Sequence, residues 1–121
     1  MNKERVNAGL PEFKKMEDLT KSATVRAWEC LVSYGHDRPD GKEFSTALDE
    51  QGIRWRSCGE NIAAGQKTPQ QVVTAWMNSP GHRANILSEN FTYLGVGFYY
   101  DYNGANGSYR YYWAQNFCTL F

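Results

Sequence analysis

The chain has 121 residues, 41% of them hydrophobic and 15% aromatic, enough for one ordinary domain with its own core and too apolar for a disordered chain. Thirteen basic residues balance thirteen acidic ones with no basic run, so the electrostatic footprint of a nucleic-acid binder is missing. No apolar run approaches the roughly 18 residues that a membrane-spanning helix needs.

Asn2 to Ala8 reads as a short helix, halted by Gly9 and the Leu10-Pro11 step. Glu17 to Tyr34 is the longest helical stretch. It places Leu19, Ala23, Ala27, Cys30, Leu31 and Tyr34 on one face, with Lys21, Arg26 and Glu29 mostly off it. Gly35 closes this helix, and His36 follows in a loop rich in turn formers, free either to enter a cleft or to face solvent. Phe44 to Gln51 is a short helix turning Phe44, Ala47 and Leu48 inward, ended by Gly52.

Ile53 to Ala63 alternates as a strand, with Ile53 and Trp55 on one face and Cys58, Glu60 and Ile62 on the other. Glu60 is out of character there, and a carboxylate beside Cys and Ile needs a partner or marks a site. Thr68 is a natural N-cap, with Pro69 at the first helical position and Gln71 as capping partner. Val72, Val73 and Trp76 form that helix's apolar stripe. Ser79-Pro80-Gly81 ends it and starts another, capped most simply by the Ser79 hydroxyl. His82 falls in the first turn, where the positive end of the helix dipole disfavours imidazolium. The neutral ring suits a metal ligand or base, or merely satisfies a hydrogen bond beneath the helix.

Thr92 to Asp101 alternates Leu94, Val96 and Phe98 against Tyr93, Gly95, Gly97 and Tyr99. Two glycines on one face anticipate close approach by another element or a ligand. Asn103-Gly104 and Asn106-Gly107 suit a hairpin connection to a returning strand over Tyr109 to Phe117. With helices mostly first and an antiparallel hairpin last, the class is α+β.

The three cysteines, Cys30, Cys58 and Cys118, have no CxxC spacing and do not suggest a zinc cluster. One disulfide and one thiol fit an exported protein; three thiols fit a cytosolic one. Cys58 and Cys118, on different predicted strands, are the first pair to expect in a disulfide, leaving Cys30 on the buried face of its helix as the free thiol. No signal peptide precedes the first helix, so the chain reads as cytosolic or as a mature domain freed of its leader.

Asn2-x-x-Arg5, His36-Asp37-Arg38-Pro39-Asp40-Gly41, Gly59-Glu60-Asn61-Ile62-Ala63, Trp76-Met77-Asn78-Ser79-Pro80-Gly81-His82-Arg83-Ala84-Asn85-Ile86-Leu87, Leu94-Gly95-Val96-Gly97 and Tyr112-Trp113-Ala114-Gln115-Asn116-Phe117 follow in this order along essentially the whole chain. Together they resemble a bacterial CAP domain, of the SCP/Tpx-1/antigen 5/PR-1 family. The resemblance implies one domain over residues 1–121, an α-β-α sandwich with a small antiparallel sheet between helical layers, and an extracellular or cell-surface location. Many members share a cleft tetrad of two His and two Glu. By motif position His36, Glu60 and His82 match three of these, and Ser79 stands where the second Glu belongs.

Three functions remain open. His36, Glu60 and His82 make a three-ligand set for zinc or another divalent cation, in a metal-dependent hydrolase or protease, and the resemblance adds that some relatives bind metal through the two His of this cleft. Ser79, His82 and Glu60 invite a triad, although the Gly-x-Ser-x-Gly elbow is missing. The leading reading is non-catalytic: the cleft and its aromatic surroundings bind an extracellular lipid, glycan, peptide, small molecule or protein. Ser79, Arg83, Asn61 and Gln115 join the cleft as ligand-side or supporting residues, with Arg83 set either to hold an anion or to pair with Glu60.

Overall fold

A computed structural model describes residues 1–102 and 109–121. Five helices are seen among them: α1 (Asn2–Asn7), α2 (Glu17–Val32), α3 (Ser45–Glu50), α4 (Pro69–Met77) and α5 (Pro80–Ile86). Four strands, β1 (Lys14–Lys15), β2 (Trp55–Ala64), β3 (Tyr93–Tyr100) and β4 (Tyr111–Leu120), form one sheet in the order β1-β3-β4-β2. The long ladders β3–β4 and β4–β2 are antiparallel, and only the two-residue β1 is parallel to its neighbour. The Asn103-Gly104 and Asn106-Gly107 turns expected from the sequence lie outside the described residues.

Helices α2 and α3 cover one face of the sheet, and α4 and α5 cover the other near β2. This is the expected α+β class in its α-β-α sandwich form. On the α2 side Ala23, Ala27 and Cys30 pack on Ile62, Tyr112 and Ala114. On the far side Trp76, Val72 and Ile86 pack on Ala63, Trp113, Phe91 and Phe117. Gly95 and Gly97 are the reason α2 lies so close: a Cβ on Gly95 would stand 2.2 Å from the Leu19 carbonyl carbon, and one on Gly97 2.3 Å from that of Ala23. Of the two expected neighbours for those glycines, the element is the one found.

Several local expectations hold. The Thr68 hydroxyl accepts the Gln71 backbone N–H at 3.1 Å, and Gln71 Oε1 accepts the Lys67 N–H at 2.9 Å, so the start of α4 is closed from both sides. Helix α2 stops at Val32, short of Tyr34, and Arg26 donates to the Gly35 carbonyl just beyond. A register shift between Trp55 and Ser57 interrupts β2, so the simple alternation expected from Ile53 fails there. Ile53 and Trp55 consequently pack in the same cluster as Cys58, together with Leu19, Leu48 and Cys118.

Strand β2 forms an outer edge of the sheet, yet two of its carbonyls are occupied. The Trp76 indole N–H donates to the Ile62 carbonyl at 3.0 Å, and Asn85 Nδ2 donates to that of Glu60 at 3.3 Å. The edge is covered by side chains from α4 and α5.

Candidate functional site

Glu60 lies in mid-β2 on the α2 side, and its side chain has no exposure. Arg26, itself with no exposed side chain, closes on it like a fork, Nε to Oε2 at 2.9 Å and Nη2 to Oε1 at 3.0 Å. Asn116 Nδ2 donates to Oε2 at 3.0 Å, and His36 Nδ1 lies 3.1 Å from Oε1. A carboxylate only accepts, so Nδ1 carries the proton and His36 presents Nε2 as its other ring nitrogen. Burial pulls the Arg26 guanidinium down, but Glu60 and Glu29 outweigh it and hold it above its ordinary value.

The loop carrying His36 is pinned from beneath. Arg38 bonds both oxygens of Glu29, both oxygens of Glu50 and the Thr46 hydroxyl, and Glu29 also accepts from Arg26. Arg26, Glu29, Arg38 and Asn116 were not singled out from the sequence. The signal was present for Arg26, since Leu19, Ala23, Arg26 and Cys30 are spaced four, three and four, the rhythm of a single buried stripe. Its charge argued for the opposite face and misled.

Ser79 and His82 form the second part. The backbone carbonyl of Ser79 starts α5 by accepting the Arg83 N–H at 2.8 Å. Its hydroxyl makes no backbone cap and instead shares a 2.9 Å hydrogen bond with His82 Nδ1. The expected side-chain cap is therefore replaced by a pairing with the imidazole three residues on, which competes for the same oxygen. His82 is held below the ordinary histidine value, first by burial and then by the nearby charge of His36. The direction is the one expected from its place in the helix; the causes are different.

A hollow of about 210 Å³ opens here, with Ser79, His82, Trp76, Ala64, Gln66 and Tyr34 among its walls. An adjoining, more apolar hollow of about 410 Å³ shares Tyr34 and Ala64 and is completed by Cys30, Tyr109 and Tyr112. Asn61 and Gln115 have no exposure and sit behind this wall: Asn61 Nδ2 donates to the His82 carbonyl at 3.1 Å and to Gln115 Oε1 at 3.0 Å. They hold α5 against the sheet rather than face solvent. Arg83 is exposed on α5, and the cation that Glu60 takes is Arg26, not Arg83.

The expected trio thus comes as two pairs, His36 with Glu60 and His82 with Ser79. The triad order is not formed, because Glu60 meets His36 and not His82. A three-ligand metal set does not fit either, since both Glu60 oxygens are engaged by Arg26. Among the described residues no group of three or more His, Cys, Asp and Glu is placed to hold a metal ion.

Comparison with known proteins places this architecture. The profile of the cysteine-rich secretory protein family, CAP, matches residues 1–117. The chain belongs to the CAP family. The CAP domain is 43% identical over 99 residues to the protein YkwD of Bacillus subtilis, a match covering 80% of this chain and 38% of that protein. An extracellular protein containing an SCP domain from Bacillus anthracis superposes with a TM-score of 0.82 at 29% identity, over 97% of this chain and 37% of its own. An outer surface protein of Borrelia burgdorferi shares the fold, with a TM-score of 0.81 at 17% identity over 99% and 86% of the two chains. This CAP chain therefore spans well under half of those first two relatives. Its family is of extracellular type, and no helix among the described residues is long and apolar enough to cross a membrane.

Proposed function

We propose that this CAP domain acts outside the cell as a non-catalytic recognition module, taking a ligand in the paired hollows beside β2. One observation carries the reading: Glu60, the one acid among the four cleft candidates His36, Glu60, Ser79 and His82, is buried and engaged by Arg26, Asn116 and His36, so it does not face the hollow as base, nucleophile or metal ligand. What faces it is the Ser79–His82 pair at one end and Tyr34, Tyr109 and Tyr112 at the other. That combination suits an amphipathic ligand, such as a glycan, peptide or lipid fragment, with a polar group on the dyad and an apolar face against the rings. The test is retention of cell-wall fragments, peptides or lipid vesicles on immobilised protein, with a Tyr34→Ala/His82→Ala variant as control. Retention weakened about tenfold in the variant, a loss of about 1.4 kcal/mol, supports the reading. Nothing retained above a scrambled control overturns it.

A second reading has its own support. A carboxylate behind the Nδ1–H of an imidazole is the usual partner of a metal-ligating His, and Glu60 stands so behind His36. His36 and His82 would then offer a cation two imidazole nitrogens, with the remaining positions filled from solvent or ligand. Zinc calorimetry decides: micromolar heat lost in a His36→Ala/His82→Ala variant supports it, and no heat in the wild type removes it.

A further inference from the structure

Cys58 and Cys118 are free thiols in the structure, and they are direct partners in the β2–β4 ladder. Residues opposite each other in an antiparallel pair point to the same face, with Cα atoms about 4.5–5.5 Å apart. A disulfide needs about 4.4–6.8 Å between Cα atoms. Both side chains also belong to one packed cluster beneath α2 and α3, with Leu19 and Leu48. We infer that Cys58 and Cys118 are an oxidisable pair that closes a cross-strand disulfide when the protein meets a thiol-oxidising environment, with Cys30 left reduced. Cys30 packs with Ala23, Ala27 and Ile62 in a separate cluster and has no cysteine opposite it.

The step balances with a small-molecule disulfide as oxidant. The half-buried Cys58 loses its proton to solvent and its thiolate attacks one sulfur of the small disulfide, expelling the other as a thiolate that takes up a proton. Cys118, deprotonated in turn, attacks the Cys58 sulfur and expels the second small thiolate. The two cysteines give up two electrons, and the small disulfide becomes two thiols. Burial pushes the Cys58 thiol up to about 12, with Cys118 adding to it, and Cys118 up to about 11. Closure is therefore slow at neutral pH and quickens about tenfold per pH unit as the thiolate fraction grows.

The location gives the bond a consequence. The next rung on the same face is Glu60 opposite Asn116, so the link would fix the strands beside the carboxylate that positions His36.

The experiment is to equilibrate reduced wild-type protein with oxidised glutathione at pH 8.5, quench in acid, block remaining thiols and map unreduced peptides. The expected result is a Cys58–Cys118 linked peptide, an intact mass lower by two hydrogens, and Cys30 blocked. A loop of this length should raise the Tm of the oxidised protein by about 10 °C over the same protein in reductant. That comparison needs no variant. A Cys30→Ser protein should keep the link and the Tm difference, and a Cys118→Ala protein should lose both. All three cysteines blocked at equilibrium, a link through Cys30, or a disulfide between two molecules would each overturn the inference.

Discussion

Glu60 shows how a residue that looks catalytic becomes structural once its neighbours are in place. Its charge is balanced within the sandwich by Arg26, so Glu60→Gln should break the buried fork, leave Glu29 as the remaining counter-charge of that guanidinium, and cost about 3 kcal/mol. Urea unfolding measures this, and an unchanged midpoint would show the fork to be energetically idle. The same change removes the anionic acceptor behind His36. The His82 ring gives the residue-scale pH dependence. Its folded value lies below its unfolded value, so the unfolded chain binds more protons in acid and stability falls as pH drops through the histidine range. A His82→Gln variant should lose that part of the decline between about pH 7 and pH 5 in thermal melts. An identical slope would mean the ring titrates alike in both states.

At the scale of elements, the contact of α2 with β3 is set by two missing side chains. Gly97→Ala forces a methyl into the Ala23 carbonyl, and backbone cannot swing aside as a flexible side chain can, so the helix must lift or the strand bend. A loss of about 3 kcal/mol is expected from denaturant unfolding. Thr68→Ala, by contrast, removes one capping bond at the start of α4 and should cost about 1 kcal/mol. These elements were legible in the sequence because periodicity, caps and breakers agree along α2, α4, β3 and β4. The β2 start was less so: alternation cannot register an extra residue between Trp55 and Ser57, and a one-residue slip exchanges the faces. The site was half legible. His36, Glu60, Ser79 and His82 could be named, but which acid meets which ring depends on contacts across 24 and 34 residues of chain, His36 to Glu60 and Arg26 to Glu60, which no local pattern encodes.

At the scale of the whole molecule, charge and chemistry are divided between the two faces of the sheet. Ionic order lies under α2 and α3, where Arg26, Glu29, Arg38, Glu50 and Glu60 interlock, and the amide chain Asn85–Asn61–Gln115 lies under α5. The His36 loop rests on the first and His82 on the second, so the two rings are positioned by different sets of side chains, joined where Asn85 meets the Glu60 carbonyl. Arg38→Ala should accordingly loosen His36, seen as a shifted and broadened imidazole signal in NMR spectra, while the His82 signal, which feels His36 only through its charge, moves less. Equal disturbance of both would show one shared scaffold.

The covered margin of β2 has a consequence for crowding. An open strand margin invites a neighbouring chain to dock its backbone and propagate the sheet, whereas here Trp76 and Asn85 have claimed two of the acceptors such a neighbour would use. A Trp76→Phe/Asn85→Ala protein should therefore self-associate in light scattering at concentrations where the parent stays monodisperse. The same two side chains that seat the helices act as a guard against fibrillar growth.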